Sequence, residues 1–344
     1  MTVFLTGASG LLGTALLESK RRDHVVALRH RSPIPLADVE TLSGDIRKPR
    51  LGLSERGYQE LATRTDVIVH SASITSFGVG DAKILDTNVE GTRTVVQLAR
   101  DAGARLIYVS TAFVHPSASE IDPASMYEES KRRAEALVRT LDGFVIVRPS
   151  IIVGDSRTGR VAAYQGLHEV VGSMVDRSLP VLPASPGMFC DFVAQDWVAG
   201  AIWAAAAHPR PAAELWVTSG TRALSVEAIV ALAVKIGDAH GFRGAAPRIV
   251  SYDTLQRLFI PVFLESLPGP LKRRFRAHLK LARYMNQVTP LPSSEAYLQA
   301  TFGLPSRETP LAVLARNMEH WVAHRTPRRA PATAVRRERL AKPA

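Results

Sequence analysis

The stretch TGASGLLG, residues 6–13, follows directly on the apolar run VFLTG and opens a helical segment. Glycines at positions 7, 10 and 13 in that setting call for a tight strand-to-helix turn whose backbone lies close to a bound group. Glycine adopts positive φ without strain and puts no Cβ in the way, and a helix N-terminus attracts an anion. A glycine triplet elsewhere in a chain is a weak signal; after a first strand and before a first helix it is a strong one. The reading is a cradle for a dinucleotide pyrophosphate, built by Gly7, Gly10 and Gly13 with Ser9, Leu11 and Leu12 between and beside them.

The rest of the first half obeys the same alternation. Apolar runs at 24–29 (HVVALR), 66–73 (DVIVHSAS), 105–111 (RLIYVST) and 144–153 (FVIVRPSIIV) alternate with helical stretches, among them 88–103 and the segment around 124–138. Short Val- and Ile-rich runs without polar alternation suit strands covered on both faces. The pattern predicts an α/β protein with a Rossmann-type, doubly wound parallel sheet. Past residue 155 it turns irregular, then helical at 225–237, 253–264, 270–286 and 310–324. This predicts a nucleotide-binding domain over 1–155 with a strand or two returning to the sheet near 189–218. A smaller, mainly helical substrate lobe over 156–325 is interleaved with it.

Charge and cysteine content narrow the function classes. Of the net +11, +6 sits in the last twenty residues, RTPRRAPATAVRRERLAKPA, a Pro- and Ala-rich stretch with little to bury; 326–344 reads as a disordered basic tail. No basic surface interleaved with aromatics accompanies it, so nucleic acid is not the expected partner. Cys190 is the one cysteine, which excludes a disulfide framework and a Cys-based zinc site. Histidines lack metal-ligand spacing, so no metal is expected. No charged leader precedes TVFLTG, and the longest apolar run, 197–207, is too short to span a bilayer. The chain reads as cytoplasmic. Residues 252–285 mix large apolar side chains with a basic run. A lobe helix pair explains them, and a lipid pocket, a peripheral membrane contact or a dock for an acidic carrier is the sharper alternative.

Cofactor choice is read at the end of the second strand, where an acidic residue would take a ribose 2′-hydroxyl. LRHR stands there instead. Arg29, and next Arg31, suit a 2′-phosphate, which predicts NADP(H). In GDIRKP, residues 44–49, Asp45 is placed to accept from an adenine amino group, with Ile46 beside it.

The strand ending in VSTAFV brings Ser110 and Thr111 to the carboxyl edge of the sheet, where such folds bind ligands. Tyr127 and Lys131 follow in YEESK. Composition alone yields ~0.2 Tyr-x-x-x-Lys pairs by chance, so the spacing by itself decides little. On a helix, however, i and i+4 share a face, and a nearby ammonium would lower the tyrosine pKa toward use as an acid or base. Thr111 would hold the reacting oxygen beside it.

Together, TGASGLLG, NVEGT, VSTAFV, YEESK and RPSIIVG resemble the extended short-chain dehydrogenase/reductase family over roughly residues 2–220. That resemblance implies a catalytic triad of Thr111, Tyr127 and Lys131, with Lys131 also bonding the nicotinamide ribose. It further places Ser71, Ala72, Ser73, Asn88, Pro149 and Ile151 along the cofactor. GDIRKPRLGLS, STAFV and RPSIIVGDSRTG are similar to the thioester reductase and fatty acyl-CoA reductase branch. The expectation is an NADPH-dependent reductase of an acyl thioester, on CoA or on a separate acidic carrier protein, giving aldehyde or alcohol. A ketone or hydroxysteroid-type dehydrogenase, or a nucleotide-sugar epimerase or dehydratase, is the alternative. His115-Pro116, where that branch more often has an aromatic or aliphatic residue and glycine, leaves the substrate itself open.

Overall fold

The computed structural model describes residues 1–19, 24–34, 36, 38–75, 80–116, 125–255, 283–324 and scattered positions between 257 and 281. The basic tail at 326–344 and most of the two helical segments expected at 253–264 and 270–286 lie outside the described residues.

In chain order the sheet domain contributes β1 (Thr2–Thr6), α1 (Leu11–Glu18), β2 (His24–Arg29), β3 (Glu40–Ser43), α2 (Glu55–Arg64), β4 (Val67–His70), α3 (Asp81–Leu85), α4 (Gly91–Ala102), β5 (Arg105–Val109), α5 (Met126–Val138) and β6 (Phe144–Pro149). There follow β7 (Ile151–Val153), α6 (Leu167–Val175), β8 (Val181–Pro183), β9 (Phe189–Cys190), β10 (Phe192–Ala194), α7 (Gln195–Ala207) and β11 (Glu214–Val217). The remainder is β12 (Leu224–Ser225), α8 (Val226–Ala239), β13 (Arg248–Val250), α9 (Glu295–Phe302) and α10 (Pro310–His324).

Seven strands form one parallel sheet in the order β11-β6-β5-β4-β1-β2-β3. The order reverses between β1 and β4, so the loops leaving these two strands part above the sheet and open a crevice there. Alternation along each strand feeds two cores. Val3, Leu5, Ile107 and Val109 pack with Leu16, Val198 and Ile202 of α1 and α7. Phe4, Leu106 and Tyr108 pack on the other face with Leu61, Val95 and Val138 of α2, α4 and α5. Each such fully buried side chain contributes about 1.5–3 kcal/mol.

Within 189–218, where a strand or two was expected to return to the sheet, one does. Only β11 joins the large sheet, beside β6. β10 pairs with β7 and β9 with β12, in two-stranded sheets that belong to the second core with α6, α8 and α10. Sequence reading passed over β3, because ETLS is a half-exposed edge strand with no apolar run to announce it. Among the described residues no helix is long and apolar enough to cross a membrane.

Candidate active site

The loop between β1 and α1 is a close-packed turn. Gly7 has φ +76°, and a Cβ there would lie 2.6 Å from the Ala72 nitrogen. A Cβ on Gly13 would lie 2.1 Å from the Gly7 carbonyl oxygen. Both positions therefore exclude any side chain. Gly10 caps α1 with no side-chain bond, so the first-turn N–H groups of Leu11, Leu12 and Gly13 have no intrahelical acceptor. Such a bare N-terminus at the sheet crevice fits a dinucleotide pyrophosphate. The Ala72 N–H donates to Thr6 Oγ1 at 3.3 Å, and Ser73 donates to Asn88 Oδ1 at 3.1 Å, so 71–73 lines the same crevice from β4.

At the adenine end, Arg29 and Arg31 are both exposed at the end of β2, and Arg29 donates to Ser43 Oγ at 2.9 Å. Asp45, expected to accept from an adenine amino group, is engaged within the chain. Its carboxylate already accepts from Arg47 through Nε at 3.0 Å, through a terminal nitrogen at 2.7 Å and through the Arg47 backbone N–H. That hydrogen-bonded arginine holds the Asp45 pKa down at about 2. The carboxylate is thus a fixed ion pair before any adenine arrives, and Arg47 also lies 3.6 Å from Asp86. Neighbouring Ile46 is buried against Gly91 at the start of α4.

The catalytic candidates come together on the carboxyl side of β5. Thr111 is buried just beyond the strand and caps a short 3₁₀ turn, accepting from the Phe113 N–H at 3.4 Å. Tyr127 and Lys131 stand on one face of α5, whose start is fixed by a capping box between Ser125 and Glu128. The Thr111 hydroxyl neighbours the Tyr127 phenol and favours its ionised form. Lys131 is buried, donates from Nζ to the Val109 carbonyl at 2.8 Å, and lies 6.0 Å from the Tyr127 ring centre.

Electrostatics here differ from the simple expectation of a tyrosine acidified by its lysine. Desolvation pushes the Tyr127 pKa well up, and the neighbouring Thr111 hydroxyl only partly opposes it. Burial also pulls Lys131 down to about 7, against the attraction of Glu135. Desolvation penalises both charged forms, and without a closer contact between the two groups it wins. Tyr127 therefore keeps its proton at neutrality.

Asn88, Pro149 and Ile151, expected along the cofactor, and several residues that the sequence did not single out, Glu135, Arg148, Trp216 and Tyr284 among them, complete the site. Asn88 lies in a π turn, Asp86–Glu90, between α3 and α4. Its amide donates to Ser130 Oγ at 2.9 Å and to the Ile74 carbonyl at 3.1 Å, while its oxygen accepts from the Ile74 N–H at 2.8 Å. Glu135, one turn beyond Lys131, accepts from Ser110 Oγ at 2.6 Å and from Arg148 at 2.8 and 2.7 Å. Burial disfavours its charge, but the Arg148 and Ser110 bonds outweigh this and hold its pKa below the usual range. From the far part of the chain, Tyr284 donates to Glu128 Oε1 at 3.0 Å and stacks edge-on to Phe113, centroids 4.4 Å apart. Trp216 of β11 lies 5.6 Å from the His115 ring and 4.4 Å from the Arg148 guanidinium. Pro149 closes β6 and Ile151 opens β7 beside this cluster. A signal for Glu135 was present: Tyr127, Lys131 and Glu135 follow at i, i+4 and i+8.

Known proteins share this fold. Residues 22–202, just over half the chain, match the NAD-binding family described as male sterility protein. A hybrid PKS-NRPS synthetase, pvhA of Talaromyces variabilis, is 33% identical over 211 residues, covering 53% of this chain and 5% of that one. The curated relatives in general are far longer: the chain spans between 3% and 13% of their length. Among solved structures, the terminal R domain from the myxalamid PKS-NRPS pathway superposes with TM-score 0.73 at 23% identity, covering 94% of this chain and 90% of that one. The reductase domain of a non-ribosomal peptide synthetase from Mycobacterium tuberculosis follows the same fold, with TM-score 0.64 at 21% identity over 93% and 92% of the two chains. The glycine cradle, the reversal of strand order above it and the match over 22–202 make this chain a member of the NAD-binding male sterility protein family, within the extended short-chain dehydrogenase/reductases.

Proposed function

We propose that the chain reduces an acyl thioester, presented on CoA or on a separate carrier protein, to an aldehyde or on to an alcohol, using NADPH. The observation that carries this reading is the meeting of Thr111, Tyr127 and Lys131 at the carboxyl edge of β5, beside the cradle after β1. Relatives named as a PKS-NRPS synthetase and as reductase domains support the thioester as substrate. Arg29 and Arg31, with no carboxylate in LRHR, support NADP(H) over NAD(H). The buried free thiol of Cys190 suits a cytoplasmic setting.

Bound in the crevice, the dinucleotide supplies the hydride. The protein's part is to hold the carbonyl oxygen and manage its proton. Hydroxyls of Thr111 and Tyr127 donate to the oxygen as negative charge develops on it, in a site where water is largely excluded. Tyr127, protonated at neutrality because desolvation holds its pKa up, then gives its proton to that oxygen. Lys131 stabilises the phenolate left behind. The resulting hemithioacetal collapses to aldehyde and thiol. The apolar cluster of Phe113, Tyr284 and Leu291, joined to Thr111 through Ala112 and Phe113, is where an acyl chain would be received.

The test is NADPH oxidation followed with a panel of acyl-CoAs, acyl carrier thioesters, ketones and nucleotide sugars. Turnover of thioesters is expected. Good turnover of ketones or sugars with none on any thioester would sink this reading.

A further inference from the structure

We propose that Tyr108 is a positioning residue of this site, the face of its ring forming the seat that keeps the Lys131 ammonium charged and in place next to Tyr127. The inference rests on the reductase reading for its consequence in turnover, but not for its geometry.

Lys131 Nζ is buried, and among the described residues its one hydrogen bond goes to the Val109 carbonyl. An ammonium carries three N–H groups, so one bond leaves most of its charge without a partner. The next feature it meets is the Tyr108 ring, with Nζ over the ring at 4.9 Å from its centre, inside the range where a cation is held by the negative face of an aromatic ring. Both contacts come from adjacent residues of one strand. β5 is an inner strand, and Tyr108 is opposed by His70 on one side and Ile146 on the other. The ring is almost fully buried. Behind it lies the His70 ring, centroids 5.7 Å apart, itself tied to Thr6 Oγ1 at 2.6 Å and Thr92 Oγ1 at 3.1 Å. The seat cannot slide away from the lysine.

The titratable groups that face Lys131 are Tyr108 of β5, Tyr127 and Glu135 of α5, and, behind Tyr108, His70 of β4. None of them offers a free anion. Glu135 is already bonded to Arg148 and Ser110. His70, pulled down to about 3 by burial and then by the Lys131 charge, is neutral and adds no repulsion. With Lys131 titrating at about 7, a modest attraction from the ring decides what fraction carries charge at neutral pH.

The experiment compares wild type with Tyr108→Phe, Tyr108→Leu and a protein carrying pentafluorophenylalanine at position 108. The last has nearly the shape of Phe but a reversed ring quadrupole, so it separates charge from packing should the Leu variant fail to fold. The Lys131 titration is read directly by NMR of ¹³C-lysine-labelled protein, assigned with Lys131→Met, alongside the pH profile of kcat. Tyr108→Phe is expected to titrate as wild type. Tyr108→Leu and the fluorinated ring are expected to lower the Lys131 midpoint by about one unit and to move the alkaline fall of kcat to lower pH by the same amount. An unchanged Lys131 midpoint with the fluorinated ring overturns the proposal. A shifted midpoint in a protein that reduces no thioester overturns the reductase reading and leaves the seat standing.

Discussion

The Asn88 side-chain amide donates to the Ser130 hydroxyl at 2.9 Å, and the Ser130 hydroxyl donates in turn to the Tyr127 backbone carbonyl at 2.6 Å. The same Asn88 binds both the N–H and the C=O of Ile74, so one buried amide ties the loop after β4 to the helix that carries Tyr127. Asn88 reaches α5 from a π turn, whose extra residue per turn displaces this one side chain from the register of α3 and α4.

Asn88→Ala should therefore act on two levels. It takes the side-chain partner from both backbone groups of Ile74 and from the Ser73 hydroxyl, and one of two bonds from the Ser130 hydroxyl, which costs about 2–3 kcal/mol in urea denaturation. It also frees the start of α5, and kcat should fall about tenfold with little change in NADPH affinity. Ser130→Ala, which removes two bonds rather than four, should lose roughly half as much stability.

Tyr127→Phe tests the proton donor itself. The ring and its packing are kept and only the hydroxyl is removed. Turnover should drop at least about 100-fold, the usual scale of a lost general acid, while NADPH still binds within a factor of about two of wild type. Stopped-flow turnover and fluorescence titration separate the two quantities. Retained turnover would refute the assignment.

The parts of this structure that follow from local chemistry were legible in the sequence. Gly7 and Gly13 announced a turn because no other residue fits beneath the Ala72 backbone or against the Gly7 carbonyl. β1, β2, β5 and β6 announced themselves by apolar runs, since both faces of an inner strand are covered. Parts that depend on what meets across the fold were not legible. Asp45 reads as a free carboxylate until Arg47, two residues on, folds back and takes both its oxygens. The pair Tyr127 and Lys131 implied an acidified tyrosine, but the balance is set by burial, which no spacing reveals. GDSRTG, the stretch that most resembled a substrate signature, is spent largely on the fold. Asp155 accepts from the backbone of Arg157 and Thr158, Ser156 bonds Asp196, and a Cβ on Gly159 would strike the Arg316 carbonyl of α10 at 2.3 Å. That loop clamps α10 to the start of α7.

Cofactor choice rests on Arg29 and Arg31. Each charge-assisted bond to a 2′-phosphate is worth about 1.5–3 kcal/mol, or roughly 10- to 100-fold in affinity. Arg29→Ala should weaken NADPH by that factor and leave NADH unchanged; Arg31→Ala should do the same more weakly. Because both side chains are exposed, the preference should shrink as salt is raised. Equal losses for NADPH and NADH would mean that these arginines do not read the 2′ position.

The Glu135–Arg148 pair should be costly to break and cheap to replace. Both side chains are 4% exposed, and Glu135 is held by two bonds from Arg148. Glu135→Gln takes one of two carboxylates from the buried guanidinium, which keeps Glu214 at 2.6 Å, and should cost about 2–3 kcal/mol. Changing Glu135 to Gln and Arg148 to Met together should recover most of that loss. A double variant as unstable as the single would show that the cost lies in packing against Trp216 rather than in charge.

Lys131 should leave its mark on stability as a function of pH. Its ordinary pKa of 10.5 falls to about 7 in the folded chain. Between those values the unfolded chain binds the proton more often than the folded one, so stability rises with pH from about 7 toward 10. Below pH 7 both states are protonated and the full penalty of burying the ammonium is present, on the order of 5 kcal/mol from the size of the shift. Lys131→Met removes the charge and keeps most of the volume. Its stabilising effect should be largest at pH 6.5 and shrink steadily by pH 9.5, measured by urea denaturation without cofactor. The window stops there because Tyr58, Tyr108 and Tyr127, whose pKa values are raised by burial, pull stability the other way once tyrosines ionise. An advantage for Lys131→Met that is the same at both pH values would mean the lysine is buried without cost to its charge, and the neutral fraction invoked for it at pH 7 would not exist.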